Sequence, residues 1–98
     1  MSKTVSQKFG EYIQECRIKR NLPLRKVAAA LDIDTSTLSK IEKGERQIKP
    51  EQILVISKTF DLDFKELQIK YLSRKIKDEF GNEPFFADVL RELLSSLK

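Results

Sequence analysis

Residues 24–43 read LRKVAAALDIDTSTLSKIEK, and this stretch decides how the rest of the chain is arranged. Leu24, Val27, Ala28 and Leu31 recur at i, i+3, i+4 and i+7, the pattern of a helix with one apolar side. Ala28 and Ala29 are small, which lets a second helix cross close against the first where a Leu or Phe would hold the two apart. That second helix has a start signal in Asp34, whose carboxylate can accept the free N–H of Ser36 or Thr37. Its stop signal is Gly44, able to take the left-handed conformation just past the last turn. Between these signals only Leu38 and Ile41 are apolar, a narrow seam for burial that Ile33 can join.

Opposite that seam lie Ser36 and Lys43, flanked by Ser39 and Lys40. The stripe is hydroxyl-rich and cationic and carries no carboxylate. Serine and threonine hydroxyls meet donors or acceptors, and lysine reaches guanine oxygen or phosphate, so such a face suits the major groove of DNA. A solvated helix surface uses the same residue types, and the stripe alone does not separate the two.

Ninety-eight residues suffice for one domain, or one domain with an appendage. At 40% apolar and 35% charged residues the composition is that of a globular chain. No apolar run reaches membrane-spanning length and residues 1–10 lack the centre of a signal peptide, so the expected location is cytoplasmic. A single cysteine and no histidine leave no zinc cluster and no histidine-based catalysis; no metal or cofactor is implied. Cys16 falls in helical register with Phe9, Tyr12 and Ile13, which points to a buried structural thiol. The net charge of +4 is unevenly shared. Residues 1–60 hold 12 Lys/Arg against 7 Asp/Glu, whereas residues 61–98 hold 7 against 8, so a polyanion would approach the first half.

The run from 9 to 67, FGEYIQECRIKRNLPLRKVAAALDIDTSTLSKIEKGERQIKPEQILVISKTFDLDFKEL, resembles the Xre/Cro-type, lambda-repressor-like family of bacterial and phage transcription regulators. Its most specific pieces are KVAAAL, STLSKIEKGER and ISKTFDLDFKEL, in order and at the right spacing. The resemblance implies an all-α bundle of five helices in residues 1–67, with the helix from Thr35 to Lys43 in the major groove. Thr35, Ser36, Thr37, Ser39 and Lys40 would then read bases. Arg25, Lys26, Lys43, Arg46 and Lys49 would hold phosphates, with Arg46 also in reach of a base edge. It further implies that Arg17 and Glu42 form a shielded structural ion pair joining the first and third helices. Two departures stand out: Leu24 replaces a glutamine used by many members for contacts, and Asp32 replaces the usual turn glycine, a substitution that left-handed geometry tolerates.

Around this centre, residues 1–5 are expected as a loose arm and helix one from Ser6 to Arg20, with Thr4, Ser6 or Gln7 capping. Pro23 suits the entry to helix two, and Pro50 opens helix four, which offers Ile53, Leu54, Ile56 and Phe60. Asp63 and Glu66 form a cap pattern for a long helix to Phe80, of which Phe64 and Leu67 belong to the bundle. Gly81 and Asn82 break it, and Pro84 starts a last helix. Ile69, Leu72, Ile76 and Phe80, widened by Leu67 and Tyr71, then Phe85, Phe86, Val89, Leu90, Leu93, Leu94 and Leu97, make residues 68–98 a helical extension rich in large apolar groups. Dimerisation through it is the economical reading, because two copies can read both halves of a palindromic operator. The competing class is a protein-interaction module, an antitoxin-like partner of a toxin or an adaptor gripping another protein with the same apolar tail. An enzyme is the weakest class, for acids are scattered and no phosphate-cradling loop appears.

Overall fold

The computed structural model describes residues 5–97, all helix and turn. In chain order come α1 (Val5–Lys19), α2 (Leu24–Ala30), α3 (Thr35–Glu42), α4 (Gln52–Thr59), α5 (Phe64–Phe80) and α6 (Phe86–Ser96). Thr4 and the rest of the expected arm through residue 4 lie outside the described residues, and Val5 already belongs to α1. One core joins the first five helices: Phe9, Ile13 and Cys16 of α1, Val27, Ala28 and Leu31 of α2, Leu38 and Ile41 of α3, Ile53, Ile56 and Phe60, and Leu67 and Tyr71 of α5. Ile48 enters it from the loop between α3 and α4.

Two glycines set how closely α1 meets α3. A Cβ on Gly10 would overlap the Ile41 carbonyl oxygen and stand 2.9 Å from that of Glu42. Gly44, at φ +78°, has the Gln7 side chain where its own Cβ would be, 2.6 Å from Cγ. At Gly10 the two backbones therefore touch without a side chain between them, and at Gly44 the Gln7 side chain lies against bare backbone. About two turns beyond Gly10 on α1, Arg17 grips α3 with a fork: Nε donates to Glu42 Oε2 at 2.7 Å and Nη2 to Oε1 at 3.0 Å. Its Nη1 donates to the Leu22 carbonyl at 3.2 Å. The Glu42 side chain is 4% exposed and that of Arg17 16%, so the pair is shielded and bidentate.

Four helices stop in the same way. After α1, α2, α3 and α4 comes a left-handed residue, respectively Asn21, Asp32, Gly44 and Asp61. The following amide reaches back five residues: Leu22 to Arg17 at 3.1 Å, Ile33 to Ala28 at 3.0 Å, Glu45 to Lys40 at 2.9 Å and Leu62 to Ser57 at 2.7 Å. This is the Schellman arrangement, which satisfies terminal carbonyls and folds an apolar residue back onto the helix. Leu22, Ile33 and Leu62 accordingly pack against the core. Asp34 and Asp63 start α3 and α5, accepting from the amides of Thr37 at 2.7 Å and Glu66 at 2.9 Å.

Several sequence expectations shift by one helical step. Ala28 is buried at the α2–α3 crossing but Ala29, 100° further round, is exposed. In α4 the buried positions are Ile53, Ile56 and Ser57, and Leu54 is turned outward. Ser57 is tolerated there because its hydroxyl donates to the Leu54 carbonyl at 2.7 Å. Phe64 sits exposed on the first turn of α5, while Tyr71 lies in the bundle core. Pro50 and Pro84 fall in the turns before their helices. At the second, Phe85 adopts a left-handed conformation, φ +61°, which separates Pro84 from the regular helix beginning at Phe86.

Arg17→Ala is expected to lower unfolding free energy by about 3–5 kcal/mol, because Glu42 would stay buried without its cation. An unchanged denaturation midpoint would contradict this. Asp61→Gly is expected to raise stability by about 0.5–1 kcal/mol, since it relieves left-handed backbone strain and removes a carboxylate from the negative end of α4. A lower melting temperature than the parent would count against that reading of the helix stops.

Candidate nucleic-acid interface

The inner side of α3 is closed by Leu38, Ile41 and Glu42, all buried. Its outer side is open: Thr35, Ser36, Lys40 and Lys43 are exposed, and Thr37 and Ser39 half-buried. Asp34 organises the first turn. Its Oδ1 accepts from the Thr37 amide at 2.7 Å and from the Ser36 hydroxyl at 3.3 Å. Hydrogen bonds from Thr37 hold the Asp34 carboxyl below its ordinary range, with smaller help from Ser36 and the positive charge of Arg46. Ser36, one of the five residues expected to read bases, thus turns its hydroxyl proton toward Asp34 and offers an oxygen acceptor outward, while Thr37 gives its amide to the same carboxylate. Thr35, Thr37, Ser39 and Lys40 are the remaining side-chain donors. The sequence alone contained the cap but not this division of labour.

The cations around α3 are available. Arg25, Lys26, Lys40, Lys43, Arg46 and Lys49 are all exposed. Among the described residues the salt bridges are Arg17–Glu42 and Asp88–Arg91, so none of these six is engaged in one. Arg25 and Lys26 stand on the first turn of α2, which Pro23 precedes without a side-chain cap. Arg20 belongs elsewhere: its Nε donates to the Phe60 carbonyl and its Nη1 to that of Cys16, both at 3.0 Å, with the guanidinium over the Phe60 ring. It joins the ends of α1 and α4.

Residues 45–49, carrying Arg46 and Lys49, lack regular structure but are tied at three points. The Glu45 amide closes the end of α3, and the Lys49 amide donates to Gln52 Oε1 at 2.9 Å. Between them, the Tyr71 hydroxyl donates to the Ile48 carbonyl at 2.7 Å across 23 residues of sequence. Tyr71 and Gln52 were not singled out by sequence as serving this region. A tyrosine at helical spacing reads simply as part of an apolar stripe.

Beyond Tyr71 the apolar positions turn outward. Leu72 is half-buried against the core, and Ile69 lines a separate hollow beside Tyr12 and Leu62. Ile76, Phe80, Phe86, Val89, Leu90 and Leu93 meet around a groove of about 530 Å3 between the end of α5 and α6. Phe85 and Leu97 project outside it, 78% and 81% exposed, and α6 has no buried residue at all. Among the described residues no group of His, Cys, Asp or Glu is arranged to hold a metal, and no helix is long and apolar enough to cross a membrane.

A family model described as helix-turn-helix matches residues 13–67, more than half of the chain. The crystal structure of the clp gene regulator ClgR from C. glutamicum superposes with a TM-score of 0.61 at 17% identity, over 74% of this chain and 94% of that one, a likeness of fold. No curated protein matches in sequence.

The Asp34 cap gives a pH signature. A carboxyl held below its ordinary value of 3.8 contributes stability above that pH and loses it as pH falls through the depressed value. The stability difference between the parent and Asp34→Ala should therefore be constant near neutrality and shrink below pH 3.8. Thermal melts of both proteins across that interval check it, and a difference growing with acid would refute it.

Proposed function

This chain belongs to the helix-turn-helix family, in its lambda-repressor-like branch, and from that premise we propose that it is a sequence-specific regulator of transcription that binds double-stranded DNA as a homodimer. The observation that carries the reading is the two-sided character of α3: one side locked into the core, the other open, hydroxyl-rich and cationic. In this reading α3 lies in the major groove of a palindromic operator, and the protein acts by binding rather than by catalysis, in the cytoplasm. Lys40, with Thr35, Thr37 and Ser39, donates to base edges, and Ser36 accepts. Arg25, Lys26, Lys43, Arg46 and Lys49 hold phosphates and set the register. The reading face contains no Arg, Asn or Gln, the side chains suited to bidentate base contacts, so DNA shape shares in specificity.

Residues 1–67 form the DNA-binding unit and residues 68–98 the dimerisation extension, with Tyr71 contributing to the bundle from the far side of that division. Two copies pairing through the same apolar stripe bury it symmetrically, and place recognition helices about 34 Å apart on one side of the duplex. The exposed groove also supports a second reading, capture of a protein partner such as a toxin, which is compatible with operator binding.

Lys40→Ala should weaken binding to the preferred duplex by about 1–3 kcal/mol and flatten the preference at one base position, leaving random duplex nearly unchanged. Equal loss on both would make Lys40 a phosphate contact. Sedimentation at micromolar concentration should give twice the chain mass, and a monomer there would remove the homodimer from the proposal.

A further inference from the structure

Tyr71 joins the helix that leads into the apolar tail to the loop carrying two of the proposed phosphate contacts. Its ring is held edge-on by Phe9, centroids 5.1 Å apart and planes at 63°. Both Tyr71 and Ile48 are buried, so the 2.7 Å bond from the phenol to the Ile48 carbonyl is closed to water. A carbonyl in that position has no solvent to turn to when its donor is removed. Arg46 precedes Ile48 by two residues and Lys49 follows it directly. With Glu45 fixed to α3 and Lys49 to Gln52, two restraints reach the loop's interior from other parts of the fold: burial of the Ile48 side chain in the core, and the bond from Tyr71 that fixes the Ile48 carbonyl.

We infer that Tyr71 is a positioning residue for DNA binding: its hydroxyl sets the backbone of residues 46–49 before DNA arrives, so that Arg46 and Lys49 meet the phosphates already placed. The inference rests on the proposed role of those two cations. Preorganisation of this kind strengthens binding by reducing what must be ordered on contact. The affected contacts are to phosphate, so the effect is independent of base sequence and dependent on salt.

The test compares the full chain with Tyr71→Phe, which keeps the ring and removes only the hydroxyl, on preferred and random duplexes over a range of salt concentrations. Binding should fall about five- to tenfold on both duplexes, with a salt slope shallower by about one. Circular dichroism and dimer mass should stay as in the parent. In an Arg46→Ala, Lys49→Ala background the same substitution should cost little further binding, because the groups it positions are gone. Losses that simply add in that background, or an unchanged salt slope, overturn the inference. A parent chain that ignores duplex DNA at low salt overturns the DNA-binding reading itself, a result distinct from either. Should Tyr71→Phe not fold, backbone NMR order parameters of the unaltered chain decide. Equal rigidity of residues 46–49 free and duplex-bound supports preorganisation, and ordering of these residues only on binding refutes it.

Discussion

Helix α1 meets α3 through backbone at Gly10 and through charge at Arg17, and everything else about the display of α3 depends on that junction. An eight-residue helix is too short to persist alone in water. Its last residue, Glu42, also places a carboxylate at the negative end of the helix, an unfavourable position unless a cation answers it. Arg17 answers it with two hydrogen bonds in a shielded site. The same side chain binds the Leu22 carbonyl, so the turn into α2 is fixed by the group that fixes α3. With the inner side held at Leu38, Ile41 and Glu42, the outward direction of Ser36, Lys40 and Lys43 follows from helical geometry alone.

What the sequence made legible was whatever leaves a periodic or terminal trace. The Leu38–Ile41 seam, the Asp34 and Asp63 caps, the Gly44 stop and the buried Cys16 are all local statements, and each is present in the fold. The repeated helix stop was half visible: Asn21-Leu22, Asp32-Ile33 and Asp61-Leu62 each pair an Asx residue with an apolar one after a helix, yet only Asp32 was read for left-handed geometry. Positions at the margin of an apolar stripe were misjudged, because one residue is a rotation of 100° and decides whether Ala29, Leu54 or Phe64 faces in or out. Arg20 and Tyr71 were illegible in their actual roles. Each acts on a backbone carbonyl distant in sequence, Phe60 and Ile48 respectively, and a carbonyl has no residue type to betray it.

The second half of α5 and α6 differ in kind from the bundle. The first four helices bury their apolar faces within the chain, whereas α6 keeps Leu90, Leu93, Leu94 and Leu97 exposed. Such a contiguous apolar surface is costly in water, a cost that the proposed pairing of two copies would remove. Because α5 is one continuous helix, it carries Tyr71 inside the bundle and Ile76 and Phe80 on the groove, nine residues apart from first to last. One helix therefore runs from the groove to the residue that bonds the loop flanking α3.

The most direct measurement of the central claim, that two copies present the open side of α3 to DNA in the same direction, is selection of bound duplexes from a random pool at a stated salt concentration. The expected result is an enriched sequence with two-fold symmetry, its half-sites centred about one helical turn, or about 10 base pairs, apart. A pool that emerges unenriched, or one enriched only in an unrepeated half-site, would contradict the claim.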